Sequence, residues 1–158
     1  MTSSVSDTST LARRRLLAAG TALVLLRPAR AAPEAYSAAL QKALLEFTGG
    51  AALREGRVEL NISPLVENGN AVPVSIRVDS AMTEAEHVLR IALFTSRNPQ
   101  PEVIVFELGR LSGRAQVATR MRLATSQTVL AVAQWGDGSF WQHSVDVIVT
   151  LAACVEGG

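Results

Sequence analysis

Val72-Pro73-Val74-Ser75-Ile76-Arg77-Val78 is the stretch that decides the fold. Valine and isoleucine take every second position, and proline, serine and arginine fill the gaps. Successive side chains of a strand point to opposite faces, so this period of two gives one apolar face and one polar face. The apolar residues are all β-branched, the type that packs best on a pleated surface.

The same period extends in both directions. Upstream, Val58, Leu60 and Ile62 alternate with Arg57, Glu59 and Asn61, and Pro64 closes that strand. Between the two runs, Glu67-Asn68-Gly69-Asn70 is a turn signal, read through the readiness of Asn-Gly to take positive φ. Downstream come His87–Thr95, Glu102–Leu108, Ala115–Ala124, Thr128–Trp135 and Phe140–Leu151. They are separated by Asn98-Pro99-Gln100-Pro101, Gly109 to Gly113, Thr125-Ser126-Gln127 and Gly136-Asp137-Gly138-Ser139, all turn or loop compositions. About seven short strands with breaks at this spacing predict a mainly β chain, an immunoglobulin-like β-sandwich, with a small barrel as the structural alternative. No repeat, low-complexity tract or second-domain linker interrupts residues 51–151.

The N-terminal third is organised differently. Pro33 to Phe47 reads as a helix, with Pro33 or Glu34 in its first turn and Gly49-Gly50 as its stop. Tyr36, Leu40, Ala43, Leu44 and Phe47 fall on one face, which needs the β domain or a partner to lie on. Before it, Arg13-Arg14-Arg15 precedes an uncharged run from Leu16 to Leu26, followed by Ala29-x-Ala31. A basic region, a short apolar run and a small-x-small site make a secretory signal, and the arginines with Leu16-Leu17 resemble a twin-arginine export motif. The run is short of the ~20 residues a membrane span needs. The expected layout is a signal peptide over 1–31, a helical segment over 32–50, the sandwich over 51–151 and a tail over 152–158, with no membrane attachment after cleavage.

The formal net charge of the 158 residues is +1. With five arginines and Asp7 removed in the leader, ten basic and thirteen acidic residues remain, net −3. That mild acidity gives no basic footprint for nucleic acid.

The tail holds the one cysteine, Cys154, fifth from the end in Leu151-Ala152-Ala153-Cys154-Val155-Glu156-Gly157-Gly158. The alternating run Val145, Val147, Val149, Leu151 leads into it. At ~3.3 Å per residue an extended tail would carry the sulfur about 10 Å beyond Leu151. A lone thiol in an exported chain has no partner in its own molecule, so it is reduced and reactive or bonded to something else. Its position rules out prenylation. His87 and His143 are the only histidines, and no spacing joins them to Cys154 as a metal site or a Cys-His nucleophile. His87 is expected at a strand edge, and His143 beside Trp141 on a strand face. Glu84, Glu86, Glu102 and Glu107 read as solvated residues, and Trp135 and Trp141 as core or interface aromatics.

Taken in order, several stretches resemble the SoxY family, the sulfur-carrier subunits of the periplasmic thiosulfate-oxidising (Sox) system. They are Ile62 to Pro73 (ISPLVENGNAVP), His87-Val88 with Asn98-Pro99-Gln100-Pro101, and Thr119 to Ala124 (TRMRLA). Gln127 to Ala133 (QTVLAVA), Asp137-Gly138-Ser139-Phe140-Trp141 and the near-terminal cysteine complete the match. The resemblance implies an immunoglobulin-like fold and a heterodimer with a SoxZ-like β-sandwich subunit. It implies Cys154 as the covalent attachment site, with Ala152, Ala153, Val155, Glu156, Gly157 and Gly158 as the carrier arm. A periplasmic c-type cytochrome would load thiosulfate and a hydrolase would release sulfate. The protein would be a carrier and not an enzyme, with no cofactor beyond the covalently bound sulfur cargo, no metal, and periplasmic localisation.

The arm departs from the familiar Gly-Gly-Cys-Gly-Gly. Alanines stand before the sulfur, and Val155-Glu156 after it. Loss of glycine stiffens the arm. Glu156 places a negative charge two residues from a thiolate and from anionic cargo, disfavouring both. A paralogue with different cargo, a structural or adaptor sandwich without carrier activity, and a disulfide-linked oligomer are the competing readings.

Overall fold

The structure is a computed structural model that describes residues 36–153. The expected signal peptide over 1–31 and the tail residues Cys154, Val155, Glu156, Gly157 and Gly158 lie outside the described residues. What is described is mainly β, with one α-helix, a short 3-10 helix at Arg110–Ser112 and nine strands in two sheets.

Helix α1 spans Ala38–Thr48. It starts later than the sequence predicts: Ser37, and not a first turn at Pro33 or Glu34, opens it, as the N-cap whose hydroxyl oxygen accepts the Leu40 N–H at 3.3 Å. Gly49 ends it as expected, in the left-handed conformation at φ 63°.

The strands are β1 (Leu53–Glu55), β2 (Val58–Asn61), β3 (Leu65–Asn68), β4 (Val72–Val78), β5 (Val88–Thr95), β6 (Glu102–Glu107), β7 (Gln116–Met121), β8 (Gln127–Trp135) and β9 (Phe140–Leu151). Sheet one runs β1-β9-β8-β5-β6, with β3 also on β9; sheet two is β2-β4-β7. Nine strands replace the expected seven. The additions, β1 and β3, are too short to show alternation. They share one edge of β9, both parallel to it: β1 at Phe140 to Gln142 and β3 at Ile148 to Leu151. The predicted strand over Ala115–Ala124 is shorter at both ends, because after Met121 the chain turns out of the β4 ladder.

Burial follows from this layering. Sheet two has one wet face, so β4 alternates buried and exposed along its length. In sheet one, β5 and β8 are covered on both sides, and their sequences are nearly continuous apolar runs. Ile91, Leu93, Val129, Ala131 and Ala133 face sheet two and join Val72, Val74, Ile76 and Leu123 in the main core. Ala92, Phe94, Leu130 and Val132 face the other way, under Leu40, Leu44 and Phe47 of α1. Phe47 meets Phe94 and Phe140 edge-on at 5.6 and 5.9 Å, a favoured ring geometry. The amphipathic helix is therefore satisfied by its own domain.

Candidate functional site

β9 is the longest strand, and it changes neighbours along its course. From Phe140 to Val147 it pairs antiparallel with β8; from Ile148 it pairs with β3 instead. Two side-chain hydroxyls and one backbone bond hold the switch. The Ser126 hydroxyl accepts the Val149 N–H at 2.9 Å, the Thr150 hydroxyl donates to the Glu67 carbonyl at 3.1 Å, and the Ile148 N–H donates to the Pro64 carbonyl at 2.8 Å. These bonds carry the end of β9 beyond β8 to Leu151.

The chain does not leave the body at Leu151, as the strand pattern suggested. Three backbone bonds form a clamp. The Gly69 N–H donates to the Leu151 carbonyl at 2.8 Å, the Leu123 N–H to the Gly69 carbonyl at 2.8 Å, and the Ala153 N–H to the Leu123 carbonyl at 3.1 Å. Ala152 is exposed, but Ala153 is buried at 6%. The last described residue before Cys154 is thus bonded to the sandwich, and the thiol-bearing residue begins one peptide, ~3.8 Å between Cα atoms, from that anchor.

Gly69 is the centre of the clamp for a reason the sequence reading missed. Neither Asn68 nor Gly69 has positive φ. The turn is made instead by Asn68, whose Oδ1 accepts the Asn70 N–H at 2.9 Å. Glycine is required because a Cβ at this position would stand 2.4 Å from the Leu123 oxygen and 2.9 Å from the Ala153 nitrogen. Close approach of two other backbones is a second use of glycine, independent of φ.

The loop that receives Ala153 is itself braced. Gln127 is buried at 5%. Its Oε1 accepts the Arg97 and Asn98 N–H groups at 2.9 and 3.1 Å, and its Nε2 donates to Asn98 Oδ1 at 2.8 Å and to the Thr125 carbonyl at 3.1 Å. Asn98 spans onward: Nδ2 donates to the Arg122 carbonyl at 2.9 Å, and Oδ1 accepts the Ala124 N–H at 3.0 Å. The buried Gln127 amide and the half-buried Asn98 amide therefore fix residues 122–125, which in turn hold Ala153.

Around this root the surface is mixed. Leu65, Ile148 and Leu151 are exposed at 57%, 60% and 61%, and Leu65 and Ile148 are register partners. Arg97, Arg120 and Arg122 are exposed at the same end, with Glu67. An open groove beside β3 and β4 runs past Asn68, Val72 and Arg120.

The other singled-out residues lie elsewhere. His143 accepts the Leu60 N–H on Nδ1 at 2.9 Å, tying β2 to β9. His87 precedes β5; its ring packs on Gly136, and its buried Nδ1 has no partner. Trp135 and Trp141 meet edge-on at 6.1 Å, with the Arg57 guanidinium over both. Arg57 also pairs with Glu86, and Arg110 with Glu84 at 3.4 Å. That cluster is at the opposite end of β9 from the clamp. Two titrations are displaced, neither at the clamp. Burial, reinforced by Glu55 and Asp146, holds the Tyr36 phenol above its usual range. The Ser139 side-chain and backbone hydrogen bonds hold Asp137 below the usual carboxylate range. Among the described residues, no three His, Cys, Asp or Glu side chains are grouped to hold a metal ion, and no helix is long and apolar enough to cross a membrane.

Fold and clamp together define a class: a helix-backed β-sandwich whose last strand is tied down immediately before a near-terminal cysteine. Residues 44–154 match the family described as sulfur oxidation protein SoxY, and the chain belongs to that family. Among solved structures it is similar to the sulfur carrier protein SoxY from Chlorobium limicola f thiosulfatophilum, at 27% identity and TM-score 0.59, covering 71% of this chain and 96% of that one. A superoxide reductase (neelaredoxin) from Ignicoccus hospitalis (12% identity, TM-score 0.53, 65% and 85% covered) shares the fold alone. So does a superoxide reductase from Nanoarchaeum equitans (9%, 0.52, 61% and 100% covered). No curated protein matches the chain.

Proposed function

We propose that this protein carries sulfur intermediates covalently on Cys154 and presents them to partner enzymes. The observation that supports this most is the reach of the family match. It runs to residue 154, the cysteine itself, and the similar Chlorobium protein is a sulfur carrier. The chemistry suits a lone thiol. Thiosulfate and the thiol join as RSH + S₂O₃²⁻ → RS–S–SO₃⁻ + H⁺ + 2e⁻, the electrons passing to a c-type cytochrome. Hydrolysis then gives RS–S–SO₃⁻ + H₂O → RS–SH + SO₄²⁻ + H⁺, leaving a persulfide for the next enzyme. Such bonds form and break through thiolate attack, so loading is reversible. The carrier itself catalyses neither step.

In this reading the protein works in the periplasm after export through its twin-arginine-type leader, as a heterodimer with a SoxZ-like subunit. Exposed Leu65, Ile148 and Leu151 beside the arm root support a protein partner, since apolar patches rimmed by polar residues mark interaction sites. Val155 and Glu156 favour a second reading, in which the cargo is another reduced sulfur compound. Replacing Cys154 with serine in the host should stop oxidation of the cargo. Unchanged oxidation with the serine variant would overturn the carrier role.

A further inference from the structure

The turn at the centre of the clamp carries a chemistry of its own. The chain has four asparagines, and Asn68 alone precedes a glycine; Asn61, Asn70 and Asn98 precede isoleucine, alanine and proline. Asparagine is chemically labile because the backbone nitrogen of the next residue can attack its side-chain carbonyl carbon. Glycine allows this best, having no side chain to obstruct the five-membered ring. Asn68 is exposed and its carboxamide is primed. Oδ1 accepts the Asn70 N–H at 2.9 Å and the Asn70 Nδ2 at 3.0 Å, which draws electron density from the carbon under attack. The nucleophile, by contrast, is withheld. Gly69 is buried, its N–H donates to the Leu151 carbonyl at 2.8 Å, and its carbonyl accepts the Leu123 N–H at 2.8 Å. Ring closure needs the Gly69 nitrogen to give up that proton and swing toward Asn68 Cγ, and the clamp opposes both.

We infer that Asn68-Gly69 is a spontaneous deamidation site gated by the clamp, and that its isoaspartyl product holds the clamp open. In the open state the Gly69 nitrogen bonds to Asn68 Cγ, and the side-chain amide nitrogen leaves as ammonia, taking the Gly69 proton and giving a succinimide. Water then opens the ring at one of its two carbonyls, and the new carboxyl releases a proton. Opening at Cγ yields aspartate. Opening at the main-chain carbonyl yields isoaspartate, with the chain now running through Cγ. No oxidant or reductant takes part. Aspartate keeps the main-chain length and an Oδ acceptor for Asn70, so the clamp closes over it. Isoaspartate adds one carbon to the main chain ahead of Gly69. The clamp has no slack for it, since a carbon added on Gly69 would already stand 2.4 Å from the Leu123 oxygen and 2.9 Å from the Ala153 nitrogen. The bonds to Leu151, Leu123 and Ala153 are then lost together and do not re-form. None of this depends on what the protein carries.

The test follows conversion of Asn68 in the full chain at mildly alkaline pH by peptide mapping, with isoaspartyl methyltransferase labelling to tell isoaspartate from aspartate. Urea-unfolded protein should convert about a hundredfold faster than folded protein, the population ratio that three clamp hydrogen bonds maintain. Asn98→Ala, which loosens the loop that receives Ala153, should convert at least about tenfold faster than the parent. Leu44→Ala removes a comparable amount of stability in the separate cluster under α1, and should stay within about twofold of the parent. A second measurement needs no destabilised variant. Amide exchange at Leu123 and Ala153 should be fast in the isoaspartyl form isolated by ion exchange, and slow in Asn68→Asp, which has the charge without the added carbon. Equal conversion in folded and unfolded protein, equal effects of Asn98→Ala and Leu44→Ala, or an Ala153 still protected in the isoaspartyl form would each overturn the inference.

Discussion

Gly69→Ala probes the clamp with a single methyl group. That methyl would lie 2.4 Å from the Leu123 oxygen, 2.9 Å from the Ala153 nitrogen and 3.2 Å from a Val149 methyl. Two of the three are backbone atoms, so no rotamer change relieves the contact. Either the turn after β3 shifts away from Leu123, or the segment through Ala153 lifts off. Overpacking of this kind costs about 1–3 kcal/mol. Each clamp hydrogen bond released adds about 1 kcal/mol. The expected loss is therefore ~2–4 kcal/mol. The sign is diagnostic. Gly69 lacks positive φ, so an alanine free of clashes would be neutral or stabilising by about 0.4–1 kcal/mol through the unfolded chain. Urea unfolding gives the global change, and amide hydrogen exchange at Gly69, Leu123 and Ala153 shows whether the clamp has opened. Stability within 0.5 kcal/mol of the parent (roughly the spread of innocuous surface changes) together with unchanged protection at Ala153 would refute the clamp reasoning.

Asn98→Ala should cost about 2–3 kcal/mol, because it removes one of the two acceptors of the Gln127 Nε2 group and the partners of the Ala124 N–H and the Arg122 carbonyl, and the same exchange measurement should show faster exchange at Ala153 than any change around Trp135. At the opposite end, Ser139→Ala should bring the Asp137 carboxyl back up toward its ordinary value in an NMR titration. Because the folded carboxyl is depressed, it contributes stability above its unfolded value and loses it as pH falls through the folded one. Parent and variant should therefore differ least at the acid end of the titration; an unmoved Asp137 would remove Ser139 as the cause.

The elements that the sequence disclosed are those whose environment is periodic. β4 alternates because one face is wet, and β5 and β8 are continuous apolar runs because α1 covers the face that sheet two does not. β1 and β3 left no pattern, since three or four residues on the rim of β9 bury too little to impose one. The site was harder to read for a related reason. Cys154 stands out by being alone, but the clamp joins residues 69, 123 and 153 through backbone atoms, which carry no residue identity. Gly69 was visible as a glycine and misread as a φ requirement, because local preference says nothing of a strand arriving from 84 positions away. Gln127 and Asn98, 29 residues apart, look like ordinary loop polars until the fold buries one beside the other.

The carrier account is tested most directly by the intact mass of the protein purified from its host during growth on reduced sulfur compounds, with fragmentation to place any addition. The account predicts sulfane or thiosulfonate adducts on Cys154, lost on reduction. A homogeneous unmodified thiol at Cys154 under those conditions would contradict it.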